Sequence, residues 1–127
     1  MLKSVHHIAI ICSDYPASKK FYSEILELEI IREVYRKERD SYKLDLALNG
    51  EYIIELFSFP NSPKRLSHPE AQGLRHLAFA VDNITDMIIK LNSKGIKTED
   101  IRIDPQTGKK FTFFSDPDDL PLELYEE

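Results

Sequence analysis

Two histidines and two glutamates occupy matched positions in the two halves of this 127-residue sequence. The interval from His7 to Glu55 is 48 positions, and the interval from His76 to Glu123 is 47. Imidazole nitrogens and carboxylate oxygens are ligands that Zn²⁺, Ni²⁺, Co²⁺, Fe²⁺ and Mn²⁺ accept, with water completing the coordination. The spacing therefore predicts one divalent metal ion held by all four side chains.

Each histidine opens a short apolar run that is typical of a strand. The runs His7 to Asp14 and His76 to Asp82 both begin with His, an apolar residue and Ala, and both end at an Asp. Side chains alternate between the two faces of a strand. Each histidine is therefore expected to share its face with the alanine, which leaves space for a metal or a ligand. The same alternation predicts that His6 faces away from His7, as a surface residue.

Each glutamate interrupts an apolar strand pattern. Glu55 lies within Ile54 to Phe57 and Glu123 within Leu122 to Tyr125, and both segments read apolar, Glu, Leu, aromatic. A carboxylate is costly to bury without a partner. Because four such residues repeat in register, we predict that they are metal ligands rather than four unrelated structural residues.

A helix is predicted after each leading strand. Asp14 or Ser13 can cap the first helix, and Asn83 or Asp82 can cap the second. Gly95 stands where the second helix is expected to end.

Beyond each helix the hydrophobic period drops towards two, as in Leu44 to Leu48, which is typical of strands. Turns are predicted at Asn49-Gly50 and Thr107-Gly108. We therefore predict an α+β fold of two βαβββ repeats that form one curved mixed sheet around the metal site.

The segment 60–73 is rich in Pro, Asn and Ser and has the composition of a loop. We predict a single domain over 1–127, with a first module at 1–59, a linker at 60–73 and a second module at 74–127.

Charge and hydropathy exclude several functional classes. The formal charge is −5, from 17 basic and 22 acidic residues, which disfavours nucleic acid and anionic membranes as partners. Apolar runs of about five residues are far shorter than the roughly 20 that span a bilayer. No secretory signal pattern opens the sequence, and Cys12 is the one cysteine. We expect a cytoplasmic protein with Cys12 buried at a strand end.

The motifs resemble those of the vicinal-oxygen-chelate superfamily, which includes glyoxalase I, fosfomycin-resistance proteins, extradiol dioxygenases and methylmalonyl-CoA epimerases. The resemblance covers nearly the whole chain. It is carried by His7 to Ile10 with Asp14, by Ile54 to Leu56, by Gly73 to Phe79, and by Asp116-Pro117-Asp118 running into Leu122 to Leu124.

The resemblance implies a homodimer and a site that is often built from both subunits, with His7 and Glu55 of one chain facing His76 and Glu123 of the other. A set of two His and two Glu is similar to that of glyoxalase I, whereas fosfomycin-resistance proteins and extradiol dioxygenases use one Glu. It implies conversion of a thiol-methylglyoxal hemithioacetal into a lactoyl thioester through an enediolate. Of the two glutamates, Glu123 is our first choice for the base and Glu55 our second.

Several positions bear on the substrate. Ile11 and Phe59 stand where bacterial glutathione-dependent glyoxalases carry Arg and Asn, which disfavours glutathione as the thiol. Asp119 replaces the Gly that usually follows the Asp-Pro-Asp motif. Weaker candidates for substrate contact are the aromatic residues Phe57, Phe59 and Tyr125 and the basic residues Arg75 and Lys109.

Two other classes of function remain open. One is a different metalloenzyme on the same scaffold, such as an epimerase of a CoA thioester or a thiol transferase that opens an epoxide. The other is a non-catalytic module that binds a small ligand.

Overall fold

Each half of the chain contains one strand, an α helix and three further strands, in the same order. The computed structural model describes residues 1–127, which divide into two compact units, Met1–Lys64 and Arg65–Glu127. The first unit contains β1 (Ile8–Cys12), α1 (Tyr15–Lys20), β2 (Glu29–Arg36), β3 (Ser41–Leu48) and β4 (Glu51–Ser58). The second contains β5 (Leu77–Val81), α2 (Ile84–Ser93), β6 (Arg102–Ile103), β7 (Lys110–Ser115) and β8 (Pro121–Glu126). The predicted α+β fold of two βαβββ repeats is confirmed.

Strands pair only within their own repeat, and the two repeats pair in the same way. The strand orders are β1-β4-β3-β2 and β5-β8-β7-β6, with one parallel pair at the first position of each sheet. The fold therefore has two four-stranded mixed sheets, where the sequence led us to expect one shared sheet. Hydrophobic alternation determines which face of a strand is buried, but it does not specify whether the strands of two repeats join.

The helix boundaries follow from local hydrogen bonds. The Asp14 carboxylate accepts a bond from the Ala17 amide at 3.1 Å, and the Asn83 side chain accepts one from the Asp86 amide at 3.0 Å. These caps decide between the alternatives that the sequence left open. Gly95, just after α2, has φ +82°, as expected for the residue that ends a helix. Helix α1 continues into a π-helical turn at Phe21–Ile25.

In each unit one face of the sheet is the core. Ile54 and Leu56 of β4 are fully buried, as is Leu122 of β8, while Leu124 is 1% exposed. Cys12 is also buried, as predicted. Since side chains alternate along a strand, Glu55 and Glu123 project from the opposite face of their sheets.

The turn before β8 explains how Asp replaces the expected Gly. Asp116 Oδ1 accepts bonds from the amides of Asp118 and Leu120, both at 2.9 Å. Asp119 between them adopts φ +66°, in the left-handed region that favours glycine and that Asp tolerates better than most residues. The substitution therefore keeps the turn.

No helix in the chain combines the length and the apolar composition needed to cross a membrane.

Candidate metal centre

The first unit brings together one predicted histidine and one predicted glutamate. His7 directly precedes β1, and Glu55 lies on the neighbouring strand β4 opposite Ala9. His7 Nε2 lies 3.8 Å from Glu55 Oε1. The side chains are 35% and 16% exposed, so a ligand can reach both.

Glu55 is also held by a polar network of side chains from β3 and β4. Lys43 Nζ lies 3.3 Å from Glu55 Oε2 and 2.8 Å from Asp45 Oδ1. Tyr52 donates a hydrogen bond to Asp45 at 2.7 Å, and its hydroxyl lies 3.3 Å from Glu55 Oε2. One oxygen of Glu55 therefore faces Lys43 and Tyr52, and the other faces His7.

Asp45 anchors this network as a charged group with no exposed side-chain surface. Burial acts to raise its pKa, but hydrogen bonds from Lys43, Tyr52 and Arg32 lower the pKa of Asp45 below its usual range. Burial and the bond to Asp45 raise the pKa of Tyr52, which keeps its hydroxyl protonated. Asp45 is thus an anion that fixes the position of Lys43.

The second unit brings together the other predicted pair. His76 directly precedes β5, and Glu123 lies on β8 opposite Ala78. His76 Nε2 is 2.9 Å from Glu123 Oε2, and the side chains are 30% and 12% exposed. The Nδ1 atom of His76 is buried without a hydrogen-bond partner. The Phe113 ring meets the imidazole edge-on, with 5.1 Å between ring centroids.

The two pairs have equivalent backbone registers and different neighbours. On β3, Lys43 lies opposite Phe57 and Asp45 opposite Glu55. On β7, Phe111 lies opposite Tyr125 and Phe113 opposite Glu123. Strand β7 thus carries two phenylalanines at the positions where β3 carries a Lys and an Asp. Glu55 lies beside charged groups, whereas Glu123 lies beside aromatic rings.

The donor atoms of each pair suit a divalent metal ion. With metal–ligand bonds of about 2.0–2.2 Å, two neighbouring ligands are roughly 3.0–3.4 Å apart. The 2.9 Å between His76 Nε2 and Glu123 Oε2 is close to this range, and the 3.8 Å between His7 Nε2 and Glu55 Oε1 is slightly longer. In both pairs the Nε2 atom faces the carboxylate, as two ligands of one ion would.

Each pair offers two candidate ligands, which is fewer than a protein metal site ordinarily uses. The chain contains no group of three or more His, Cys, Asp or Glu side chains placed to hold one ion. Each pair is therefore half of the predicted set of four ligands.

The aromatic candidates of the first unit stack beneath arginines. The rings of Phe57 and Phe59 are 5.5 Å apart and nearly parallel. The Arg36 guanidinium lies 5.0 Å from the Phe57 ring, and that of Arg39 lies 4.7 Å from Phe59. Ile11 is 54% exposed, and like Phe59 it offers no polar group to a glutathione carboxylate or amide.

The candidates of the second unit have separate surroundings. The Tyr125 hydroxyl donates to Asp104 at 2.9 Å and also bonds with Thr107. Arg75 Nη2 lies 3.6 Å from Glu70 Oε2. Lys109 follows Thr107 in an exposed turn, where its amide donates to the Thr107 hydroxyl. These contacts account for the positions of Tyr125 and Arg75 without assigning them a substrate.

The prediction that His6 faces away from His7 is wrong. The two Nδ1 atoms are 2.8 Å apart, and the His6 ring lies 5.3 Å from that of Tyr52. Strand β1 begins at Ile8, so strict alternation does not extend back to His6. His6 is nevertheless exposed, as expected.

Sequence reasoning also missed Lys43, Asp45 and Tyr52. Asp45 had a usable signal, since it is a carboxylate between Leu44 and Leu46 in an apolar strand, as Glu55 is in its own strand. Lys43 and Tyr52 had none, because ordinary solvated residues of a strand show the same pattern.

Comparison with known proteins identifies the family. A family model for the Glyoxalase/Bleomycin resistance protein/Dioxygenase superfamily matches residues 4–124. The chain belongs to this superfamily, as its motifs predicted.

Relatives align over nearly the full chain. Uncharacterized protein YwkD of Bacillus subtilis (strain 168) is 64% identical over 127 residues, covering 100% of this chain and 99% of YwkD. Uncharacterized protein YaeR of Escherichia coli (strain K12) is 63% identical, covering 99% and 98%. Metallothiol transferase FosB of Staphylococcus saprophyticus is 28% identical, covering 98% of this chain and 78% of FosB.

A solved structure shares the fold. The crystal structure of the glyoxalase family protein from Enterococcus faecalis is 52% identical, covers 98% of both chains and superposes with a TM-score of 0.91.

Proposed function

We propose that this protein is a divalent-metal-dependent lyase of the glyoxalase I type. Its substrate would be a thiol-methylglyoxal hemithioacetal or a similar compound with two adjacent oxygens, converted through an enediolate. The observation that carries the proposal is the duplicated His–Glu pair, His7 with Glu55 and His76 with Glu123, at equivalent register positions of the two repeats. An ion pair that only stabilised the fold would not need to recur at the same register in both repeats, where burying a carboxylate has an energetic cost.

The four side chains would hold one Zn²⁺ or Ni²⁺, with Co²⁺, Fe²⁺ or Mn²⁺ as alternatives. When bound, such an ion supplies Lewis-acid stabilisation of charge on two adjacent substrate oxygens, which acidifies the neighbouring C–H. The remaining chemistry is a proton transfer, which belongs to the carboxylates of this chain.

Glu123 suits the role of the base better than Glu55. Lys43 and Tyr52 hold one oxygen of Glu55, so this carboxylate is fixed in place. Glu123 lies beside Phe113, at a position where Glu55 has Asp45, and its ion pair is with His76. A carboxylate among aromatic rings is poorly solvated, and one without a neighbouring ammonium is freer to move. Glu123 would take the proton from the carbon next to the carbonyl and return it to the adjacent carbon.

The first experiment measures metal content and turnover together. Chelator-treated protein is reloaded with each metal, analysed for metal per chain, and assayed with methylglyoxal and several thiols. We expect about one metal per four-ligand site, loss of metal in His76→Ala, and retained metal without turnover in Glu123→Gln. Unchanged turnover in Glu123→Gln would reject Glu123 as the base, and wild-type protein that takes up no metal would reject the proposal.

A second candidate function is thiol transfer to an electrophile such as an epoxide. The 28% identity to Metallothiol transferase FosB along 98% of this chain favours it. The same reloaded protein, given a thiol and a small epoxide, distinguishes the two reactions, since a transferase consumes thiol without requiring methylglyoxal. Stoichiometric metal with neither turnover would support the metal site and point to another substrate with two adjacent oxygens, whereas no metal at all would leave a non-catalytic binding module.

We also propose that the complete site is shared by two chains of a homodimer, because each compact unit contains only one His–Glu pair. A solution mass near the 14.8 kDa of one chain would count against sharing.

A further inference from the structure

A cleft of about 220 Å³ in the second unit is lined by three arginines. None of the four proposed metal ligands lines it, and the proposed function gives it no role. Its lining includes Arg65, Arg75, Arg102 and Phe113, together with the acidic residues Glu70 and Glu99. The whole chain carries a formal charge of −5. The cleft therefore has more positive than negative side chains, although the protein as a whole is negatively charged.

The acidic residues leave two of these arginines weakly held. Arg75 Nη2 is 3.6 Å from Glu70 Oε2, and Arg102 Nη2 is 3.4 Å from Glu99 Oε1, with all four side chains more than half exposed. Exposed ion pairs of this kind contribute little to stability. A ligand oxyanion can therefore replace either glutamate at small cost.

Arg102 is positioned by aromatic rings rather than by its ion pair. Its guanidinium carbon lies 5.1 Å from the centre of the Phe111 ring and 5.3 Å from that of Phe113. Stacking on aromatic faces fixes the plane of a guanidinium and leaves its N–H edge available for a bidentate contact. Carboxylate and phosphate groups match that edge.

The same aromatic wall connects the cleft with the candidate metal ligands. Phe113 lines the cleft, lies opposite Glu123 on the sheet and contacts the His76 ring at 5.1 Å. A molecule bound at Arg102 would extend along Phe113 to the His76–Glu123 pair.

From this arrangement we propose that the cleft binds a small oxyanion, either a carboxylate or a phosphate, that is part of the substrate. Arg102 would bind this group, and Arg75 would contribute a second positive charge. The cleft of about 220 Å³ accommodates a short carboxylate-bearing or phosphate-bearing thiol. This inference deepens the proposed function, on which its reference to the substrate rests.

Anion binding is tested first, on chelator-treated protein without metal. Acetate and inorganic phosphate are titrated separately while backbone amide NMR shifts are followed, so that planar and tetrahedral oxyanions are compared. We expect saturable shifts centred on the cleft. Arg102→Ala should weaken the preferred anion at least about tenfold, and Arg102→Lys, which keeps the charge without the planar fork, should weaken it less. Lys90→Gln removes one exposed positive charge from α2 in the same unit, and should leave the affinity within about twofold.

The second arm measures substrate preference on reloaded protein. Hemithioacetals of mercaptoacetate and of mercaptoethanol differ in the carboxylate. We expect a higher kcat/KM for the mercaptoacetate adduct, with the preference lost in Arg102→Ala through a raised KM.

The two arms separate failure of this inference from failure of the proposed function. Saturable anion binding that depends on Arg102 supports the cleft site even if no hemithioacetal is turned over. Turnover without such binding, or shifts spread over surface lysines and unchanged in Arg102→Ala, would overturn the cleft site and leave the metal-dependent reaction intact.

Discussion

At the scale of single residues, the two His–Glu pairs differ in what surrounds the carboxylate. Glu55 is fixed by Lys43, which is itself fixed by the buried Asp45. Glu123 has aromatic neighbours and no such tether. Two glutamates at equivalent positions can therefore take different roles, one holding a metal and one moving a proton.

Asp45 is expected to be a major contributor to the stability of the first unit. Asp45→Asn removes a buried charge that is bonded to Arg32, Lys43 and Tyr52. Because Lys43 and Arg32 are partly exposed and can be solvated, we expect a loss of about 1–3 kcal/mol in the free energy of unfolding. Chemical denaturation measures it. Glu51→Gln, which removes an exposed charge at the start of β4, is the control and should change stability by less than about 0.5 kcal/mol. Equal effects of the two substitutions would contradict a structural role for Asp45.

The ligand candidates could be predicted from the sequence because an internal repeat doubled each weak signal. His7 and Glu55 alone resemble ordinary strand residues, but His76 and Glu123 repeat them in register. Lys43 and Arg102 could not be found in this way. Their roles depend on which strands pair and in which register, and a shift of one residue would turn each side chain to the other face.

At the scale of elements, the strands and helix caps were readable because local rules fix them. The Asp14 and Asn83 caps and the turns at Gly50 and Gly108 each need one residue type at one position. The π-helical turn at Phe21–Ile25, which buries Phe21 and Tyr22, was not predicted, because the spacing of apolar residues does not distinguish a π-helical turn from a regular one.

The contribution of a helix cap to stability can be measured at Asn83, which caps α2. Asn83→Ala removes the side-chain acceptor for the Asp86 amide, and we expect a loss of about 1 kcal/mol in the free energy of unfolding. Asn92→Ala makes the same change at an exposed position within α2, where alanine is the better helix former, so it should be neutral or slightly stabilising. Denaturation of both variants by urea tests the pair, and a destabilised Asn92→Ala with an unaffected Asn83→Ala would contradict the cap.

Helix α1 and strand β2 are joined by an acid-sensitive contact. Glu33 on β2 accepts bonds from Lys19 and Tyr15 of α1, and these hydrogen bonds lower the pKa of Glu33 below its ordinary value of 4.5. A lowered pKa in the folded state stabilises the fold above pH 4.5, and this contribution is lost as the pH falls from 4.5 through the folded-state pKa.

The stability difference between wild type and Glu33→Gln should therefore be constant at neutral pH and shrink below about pH 4.5. Denaturation midpoints measured from pH 3 to pH 7 would show this. Glu29→Gln, at the exposed start of the same strand, should show no such acid-dependent difference. A Glu33→Gln difference that grows on acidification would reverse the sign and refute the contact.

At the scale of the whole molecule, each of the two compact units holds one His–Glu pair, half of the proposed four-ligand set. Two chains can share their halves so that His7 and Glu55 of one meet His76 and Glu123 of the other. In that arrangement a mixed dimer of His7→Ala and His76→Ala chains has one site with both defects and one intact site.

Mixing the two variants after reversible dissociation should therefore restore metal binding and turnover that neither variant has alone. The readouts are metal per chain and rate after separation of the mixed dimer, with the two unmixed variants as controls. If each chain closed its own site, mixing would restore nothing, and the proposal of a shared site would fall.

A chain built from two copies of one unit can vary one copy at a time. The parallel strand pairs carry the same His, Ala and Glu arrangement in both repeats, whereas β3 carries Lys43 and Asp45 where β7 carries Phe111 and Phe113. The candidate ligands are therefore the same in both repeats, while the strand beside them differs. For protein engineers, β7 is thus the strand to alter first beside the proposed metal ligands, because β3 holds Glu55 in place through Lys43 and Asp45.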